Sequence, residues 1–247
     1  MSAIFRMLFL GPPGAGKGTY ARIVNSMFNI PQVNAGDIVR DHIRSGSDIG
    51  KKMKSYNDRG ELVPDDILMP LMEERIFGSP DTHFGKSFLL DGFPRNLAQA
   101  ELLQDWFDKH QQHGLNLVLN LNIREDILMK KIINRRVCNS CGANFNLANI
   151  QEPENGISMP PLLPKVDGVC DFCSSPLVQR HDDTEEVVRN RMKVYREWTE
   201  PLMAFYHGLH KGRQTEFVNF DVSQGKVAST PPLISLLEKR IKYVDNL

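Results

Sequence analysis

Nine residues near the start of the chain, Gly11-Pro12-Pro13-Gly14-Ala15-Gly16-Lys17-Gly18-Thr19, have the composition and spacing of a phosphate-binding loop. Glycines let successive backbone N–H groups turn inward on a phosphate chain with no Cβ in the way. A helix starting after the turn adds a partial positive charge at its N-terminus, and Lys17 adds a full one. The G-x-x-x-x-G-K core is complete, although Gly18 follows the lysine directly and Thr19 falls one position later than the common pattern. An ordinary strand-to-helix loop has no need of four glycines and a lysine together.

A second cluster of reactive side chains is formed by the four cysteines, arranged as Cys138-x2-Cys141 and Cys170-x2-Cys173. Two C-x2-C pairs match a tetrahedral site of four thiolates, the arrangement of structural Zn2+. Four sulfur ligands leave no open coordination position, so such a metal takes no chemical step. Two disulfides or four free thiols are the competing readings. Disulfides belong to secreted chains, and no secretory signal is present; a redox motif needs only one pair. From Cys138 to about Asp183 the sequence is loop-like, with Pro153, Gly156, Pro160, Pro161, Pro164 and Gly168, and its composition cannot build a core of its own. A metal would stabilise such an insert. A nucleic-acid knuckle is disfavoured because the flanks lack a basic-aromatic pattern.

Charged residues recur beside further phosphate-type motifs. Asp91-Gly92-Phe93-Pro94-Arg95 follows the apolar run Ser87-Phe88-Leu89-Leu90, which places Asp91 at the carboxyl end of a strand. An aspartate there holds Mg2+, directly or through water, while Arg95 faces a phosphate. Gly36-Asp37-x-x-Arg40 is expected to put a second arginine on the first turn of a helix. Arg135, Arg180 and Arg191 frame the cysteine segment, with Asp182-Asp183 between the last two. Phosphoryl transfer asks for no protein nucleophile; it asks for two anions brought in line and their charge compensated. Any one arginine alone reads as a solvated surface charge, and it is the recurrence that argues otherwise. The histidines, His181 included, form no cluster and are read as surface or supporting residues with no ligand role.

These groups need a scaffold, and the alternation of helical and strand signals predicts β-α units around a parallel sheet. Met7-Leu8-Phe9-Leu10 reads as the first buried strand, with helix-permitting sequence from Tyr20 to Phe28. Gly36-Asp37 is expected to cap a helix reaching about Ser45, followed by helices over 50–59 and 65–77. Further strands are expected over 87–91, 117–121 and 217–220, with a helix from Glu125 to Val137. A long helix over 185–206 should be kinked or interrupted by Pro201, and a closing helix runs from Leu233 to Tyr243. Leu102, Leu103, Trp106 and Phe107 recur at helical spacing as core residues.

At 247 residues and 41% hydrophobic composition, the chain buries a core as one large domain or one domain with insertions. Thirty basic residues balance thirty acidic ones, which argues against a general nucleic-acid or membrane-surface binder. No stretch approaches the ~20 apolar residues of a membrane span. The first strand begins by Met7, leaving no room for a cleavable signal peptide, and Ser2 removes the myristoylation pattern. The expectation is a soluble intracellular protein, cytoplasmic, or mitochondrial or plastid if a targeting segment precedes this sequence.

Taken jointly, these motifs resemble those of the adenylate kinases, nucleoside monophosphate kinases, in the long form whose lid carries a zinc-binding tetracysteine site. In that family Gly18-Thr19 after the lysine is normal. The resemblance implies an α/β fold, a P-loop NTPase-like parallel sheet flanked by helices, with an AMP-binding helical insert and a small zinc-stabilised lid. The core would comprise 1–33, 65–136 and 184–247, the AMP insert 34–64 and the lid 137–183. It implies Mg2+-dependent, reversible phosphoryl transfer from ATP to AMP, by a monomer. Gly14, Ala15, Gly16, Lys17, Gly18 and Thr19 would hold the donor, with Lys131 and Arg135 beside it. Ala35, Gly36, Arg40, Leu62, Val63, Gly92, Arg95 and Gln99 would bind AMP, Gln99 reading its adenine. Lys17, Arg95, Arg135, Arg180 and Arg191, with Asp182 and Asp183, would form the catalytic set, and Asp91 would hold Mg2+ through water. Cys138, Cys141, Cys170 and Cys173 would bind Zn2+.

Two positions depart from the family pattern. Ala35 stands where threonine or serine is usual, so acceptor contacts would pass through Asn34 or backbone. Lys131 stands where an arginine commonly stacks on the donor base, and lysine stacks less well than a planar guanidinium. GTP:AMP phosphotransferases share nearly every motif, and Leu62-Val63-Pro64-Asp65-Asp66 suits either, so GTP is the alternative donor. A nucleotide-dependent switch or binding module is the alternative from another class, and it leaves Arg40, Arg95 and Gln99 without employment.

Overall fold

The computed structural model describes residues 4–78, 86–209 and 215–245. The parts of the expected core at 1–3, 79–85, 210–214 and 246–247 lie outside them. In chain order the elements are β1 (Arg6–Leu10), α1 (Lys17–Phe28), β2 (Gln32–Asn34), α2 (Ala35–Ser45), α3 (Asp48–Arg59), α4 (Asp65–Phe77), β3 (Phe88–Asp91) and α5 (Leu97–Lys109). Then come β4 (Leu117–Asn122), α6 (Glu125–Ile133), β5 (Arg135–Cys138), β6 (Asn144–Asn146), β7 (Ile150–Glu152), β8 (Ile157–Met159) and β9 (Leu177–Val178). The chain closes with α7 (Glu185–Val194), a π-helical turn (Tyr195–Thr199), α8 (Pro201–Leu209), β10 (Glu216–Asp221) and α9 (Gly225–Asp245).

Five strands form one sheet in the order β10-β4-β1-β3-β2, every pair parallel. The inner strands β1, β3 and β4 are buried on both faces because helices cover both. Leu8 and Leu10 of β1 join Leu90 and Val118 in the cluster on one face. Met7 and Phe9 join Leu89, Leu117 and Leu119 in the cluster on the other, as the two-residue period of a strand requires. This is the parallel α/β sheet read from the sequence. No described helix is long and apolar enough to cross a membrane.

Several elements differ from the sequence reading, each for a local reason. The helix expected to reach Val137 ends at Ile133, and Arg135–Cys138 is a strand pairing antiparallel with β6 and β9. Tertiary pairing there outweighs helix propensity. The cap of α2 is Asn34 rather than Gly36-Asp37: its Oδ1 accepts from the Asp37 N–H at 2.9 Å. With the helix starting at Ala35, Arg40 lies on its second turn and not the first. Ser47 caps α3, which therefore starts at Asp48. Strand β2, short and of mixed polarity, carried no sequence signal and forms the sheet edge.

Leu102 is exposed, while Leu103, Trp106 and Phe107 are buried as expected. Helix α9 begins at Gly225 rather than Leu233, running through Pro231 and Pro232, which a sequence reading takes as punctuation. The segment after Cys138, read as loop-like, supplies β6 and β9, which flank β5 in a three-stranded antiparallel sheet, and the β7–β8 hairpin. Its buried side chains are few: Cys138, Ala143, Phe145 and Cys170 in one cluster, and Ile150, Ile157 and Met159 against Ile127 of α6 in another.

Pro201 interrupts the long helix as foreseen, but by widening and not breaking it. The Glu200 N–H donates to the Tyr195 carbonyl at 2.9 Å, five residues back, so one residue bulges ahead of the proline.

Candidate active site

The carboxyl ends of β1, β2 and β3, the N-termini of α1 and α2, and strands β5 and β6 surround a cavity of about 1170 Å3. Lys17, Lys131, Arg40, Arg95, Arg135, Arg180 and Arg191 all line it. So do Gly14, Gly16, Gly18, Thr19, Ala35, Gly36, Leu62, Val63, Asp91, Gly92, Gln99 and Asp182. Ala15 and Asp183 do not; both are buried behind the wall.

The glycine-rich loop owes its shape to backbone angles closed to other residues. Gly11, Gly14 and Gly16 have φ of 130°, 84° and 93°. A Cβ on Gly11 would meet the Leu121 carbonyl oxygen at 2.6 Å, a backbone atom that cannot yield. Gly11→Ala is therefore expected to lower stability by about 2–4 kcal/mol, a drop of several degrees in Tm by calorimetry. Lys17 Nζ curls back to donate to the carbonyls of Gly11 (2.6 Å) and Pro12 (3.0 Å). Burial pushes its pKa down to about 8, opposed by Asp91 and assisted by Arg95 and Arg135.

The arginines differ in how they are held. Arg95 donates from Nε to the Gly92 carbonyl at 2.7 Å, and burial pushes its pKa down to about 10. Its own carbonyl accepts from Thr199 Oγ1 at 2.8 Å, a contact supplied by the widened turn. Arg40 pairs with Asp37 at 2.5 Å. Arg135 binds Asp183 through two nitrogens, and Arg191 pairs with Asp182. Burial disfavours the Asp182 carboxylate, yet Arg191 and Arg180 hold its pKa below the ordinary value. The two aspartates thus face arginines.

Arg180 stands apart. Its carbonyl accepts from the Asp183 N–H at 3.1 Å, but among the described residues its guanidinium has no hydrogen-bond or ion-pair partner. Burial pushes it down to about 9, with the charges of Arg135 and Arg40 acting in the same direction and Asp183 and Asp182 opposing. A half-buried guanidinium without an anion marks a place where an anion belongs.

Asp91 is buried, and burial raises its pKa against the pull of Lys17 and Arg95. Its Oδ2 accepts from Gln32 Nε2 and Asn34 Nδ2, both at 2.7 Å. Its Oδ1 accepts no hydrogen bond among the described residues. A hard anionic oxygen left free beside the phosphate loop suits Mg2+ or its water shell. Gln99 spends its amide on the Arg95 N–H (2.7 Å) and Asp65 Oδ1 (2.6 Å), at the cavity wall. Lys131, pushed down to about 8 by burial, has its Nζ near Gly16.

The four cysteine sulfurs lie within 4.8 Å of one another, with Cys138–Cys173 at 3.4 Å and Cys141–Cys170 at 3.5 Å. A tetrahedral Zn2+ with bonds of about 2.3 Å separates its sulfurs by about 3.8 Å, within this spread. The cluster is able to hold a metal ion. The segment that bears it closes over the cavity from the far side. His181 Nε2 meets Asp58 Oδ1 of α3 at 2.8 Å and Arg44 donates to the Asn139 carbonyl at 3.2 Å, while beyond the segment Asn190 of α7 donates to the Arg59 carbonyl at 2.6 Å.

Sequence reasoning missed Gln32, Gly225-Lys226-Val227 and Tyr195 as cavity residues. Gln32 sits on the unrecognised edge strand, and the others come to the site only through the late start assigned to α9 and the bulge before Pro201.

Residues 9–211 match the family model described as Adenylate kinase. An adenylate kinase of Archaeoglobus fulgidus is 44% identical over 200 residues, covering 81% of this chain and 85% of that protein. An adenylate kinase of Petrotoga mobilis is 40% identical over 232 residues, 94% of this chain and 97% of its own length. A probable chloroplastic adenylate kinase 1 of Oryza sativa is 40% identical over 235 residues, 93% of this chain and 74% of that protein. With the glycine-rich loop, the convergent arginines and the cysteine cluster in one frame, the chain belongs to the adenylate kinase family.

Proposed function

We propose that the protein catalyses reversible, Mg2+-dependent transfer of the γ-phosphoryl group of ATP to AMP, giving two ADP. The observation that carries this reading is the cavity onto which Lys17, Lys131, Arg40, Arg95, Arg135, Arg180 and Arg191 converge from separate segments, the Arg180 guanidinium without an ion-pair partner among the described residues. A phosphate oxygen of AMP attacks the γ-phosphorus, and the bond from that phosphorus to the β–γ bridging oxygen breaks. No protein atom becomes covalently attached. Lys17 and the amides of 14–19 hold the donor's β- and γ-phosphates, beside Lys131 and Arg135. Arg40 and Arg95 hold the AMP phosphate near Ala35, Gly36 and Gly92, with Leu62, Val63 and Gln99 around its base. Arg135, Arg180 and Arg191 gather the charge of the group in flight, with Asp183 and Asp182 fixing the first and last of these. Mg2+ bound with the nucleotide, held by Asp91 through water, supplies further charge compensation.

We divide the chain into a core (1–33, 65–136, 184–247), an acceptor insert (34–64) and a lid (137–183). The contacts of His181 with Asp58 and Arg44 with Asn139 join insert to lid over the cavity. Closure of this kind keeps water from taking the phosphoryl group. Zn2+ on Cys138, Cys141, Cys170 and Cys173 fits a segment with so few buried side chains of its own. Chelation is expected to lower Tm by about 5 °C or more and to raise hydrogen exchange across 137–183, while turnover below the new Tm falls less than about tenfold. Activity lost with the structure intact contradicts a structural metal.

A coupled assay of ATP, GTP, UTP and ITP against AMP, CMP, UMP and GMP tests the whole reading. The ATP–AMP pair should be fastest. GTP as donor is not favoured, since the relatives reported above are named adenylate kinases. Slow nucleotide hydrolysis with no gain on adding AMP would restore the switch reading. We take the protein to act as a monomer inside the cell, in cytoplasm or an organelle, where four thiols stay reduced.

A further inference from the structure

We propose that Asn34 is a positioning residue that orients the Asp91 carboxylate and ties it to helix α2, which carries Arg40. The inference rests on the reading of Asp91 as the holder of hydrated Mg2+. Asn34 stands where β2 passes into α2 and uses both ends of its amide. The Oδ1 accepts from the Asp37 N–H at 2.9 Å, capping the helix, and the Nδ2 donates to Asp91 Oδ2 at 2.7 Å. The parallel register sets Asn34 directly opposite Asp91. Two residues earlier on the same face, Gln32 Nε2 donates to the same oxygen at 2.7 Å.

Two donors on one oxygen fix the plane of the carboxylate and leave Oδ1 open toward the cavity. Both donors are neutral amides, which orient the carboxylate without cancelling its charge. The network also fixes which way the Asn34 amide points, because a flip would set oxygen against carboxylate and nitrogen against N–H.

A helix cap alone does not ask for asparagine; serine, threonine and aspartate serve as well. Of these only asparagine presents an acceptor and a donor on separate atoms, one for each neighbour. A shift of α2 therefore acts on Asp91 through a single side chain.

The test uses the full-length protein with Asn34→Ser, Asp91→Asn and the double variant. Asn34→Thr, which also caps, is the second variant in case Asn34→Ser fails to fold. The readouts are Tm, ATP binding without divalent cation, and ATP binding with Mn2+ as the probe, followed by electron paramagnetic resonance. Asn34→Ser should keep Tm within about 2 °C and metal-free ATP affinity within about twofold, yet weaken Mn2+-ATP binding about tenfold. Adding it to Asp91→Asn should produce no further loss, since both act through one carboxylate. Undiminished Mn2+-ATP binding in Asn34→Ser, beside a weakened Asp91→Asn, would reduce Asn34 to a cap and overturn the proposal. Undiminished binding in Asp91→Asn would overturn the reading of Asp91 and this proposal together.

Discussion

Replacing Lys17 by methionine is expected to lower kcat/KM about 10³-fold, roughly 4 kcal/mol of lost transition-state stabilisation. The lysine begins α1 and lines the cavity, its Nζ parked on the Gly11 and Pro12 carbonyls. Methionine matches the stem and removes the charge together with these two hydrogen bonds. The same change should leave Tm unaltered or raised at pH 7. Burial holds the Lys17 pKa at about 8 in the folded protein, below its ordinary 10.5. Between those values the unfolded chain binds more protons, so this group makes stability rise with pH from about 8 to 10.5. Below about 8 the folded state bears the full cost of a crowded cation. The variant should lose that alkaline rise, and the wild type's KM for ATP should climb above pH 8 as Lys17 discharges. Activity within tenfold of wild type in a steady-state assay would remove Lys17 from the phosphates.

Arg180→Ala is expected to reduce kcat by 10²- to 10³-fold (an order-of-magnitude figure for a lost transition-state cation) with KM values moved only a few-fold. The Arg180 guanidinium has no hydrogen-bond or ion-pair partner among the described residues, and its backbone bond to Asp183 survives the change, so Tm should stay within about 2 °C. Arg135→Ala provides the contrast. It leaves Asp183, whose side chain is 0% exposed, without its guanidinium, a loss of about 3–5 kcal/mol in stability as well as activity. Denaturant unfolding beside steady-state kinetics separates the two. An unchanged kcat in Arg180→Ala would mean that its charge never reaches the moving group.

The parts of this molecule legible in sequence are those where chemistry leaves few residue choices. Glycines at positive φ, a lysine after them, an aspartate ending an apolar run and paired cysteines each point to one environment. The sheet was legible where strands are buried on both faces and read as unbroken apolar runs. What escaped was set by partners distant in sequence. Strand β2 has three residues and no pattern, and exists because Gln32 and Asn34 line up against Leu89 and Asp91. Residues 135–138 continue a helical pattern but extend because residues 144–146 lie beside them. The buried Arg6 gave no signal either; its guanidinium meets the Lys86 and His113 carbonyls and lies over Phe88 and Phe107.

The bulge ahead of Pro201 lets one continuous rod answer to two different neighbourhoods. On its near side Arg191 lines the cavity; on its far side Leu202 and Tyr206 are sunk in the oily interior. A regular α-helix advances about 100° per residue. Trimming a single residue from 195–199 would straighten the hydrogen bonding, yet swing one half out of phase with the other. Either the guanidinium would leave its post or two anchors would surface, which makes this short stretch intolerant of length change whatever its letters.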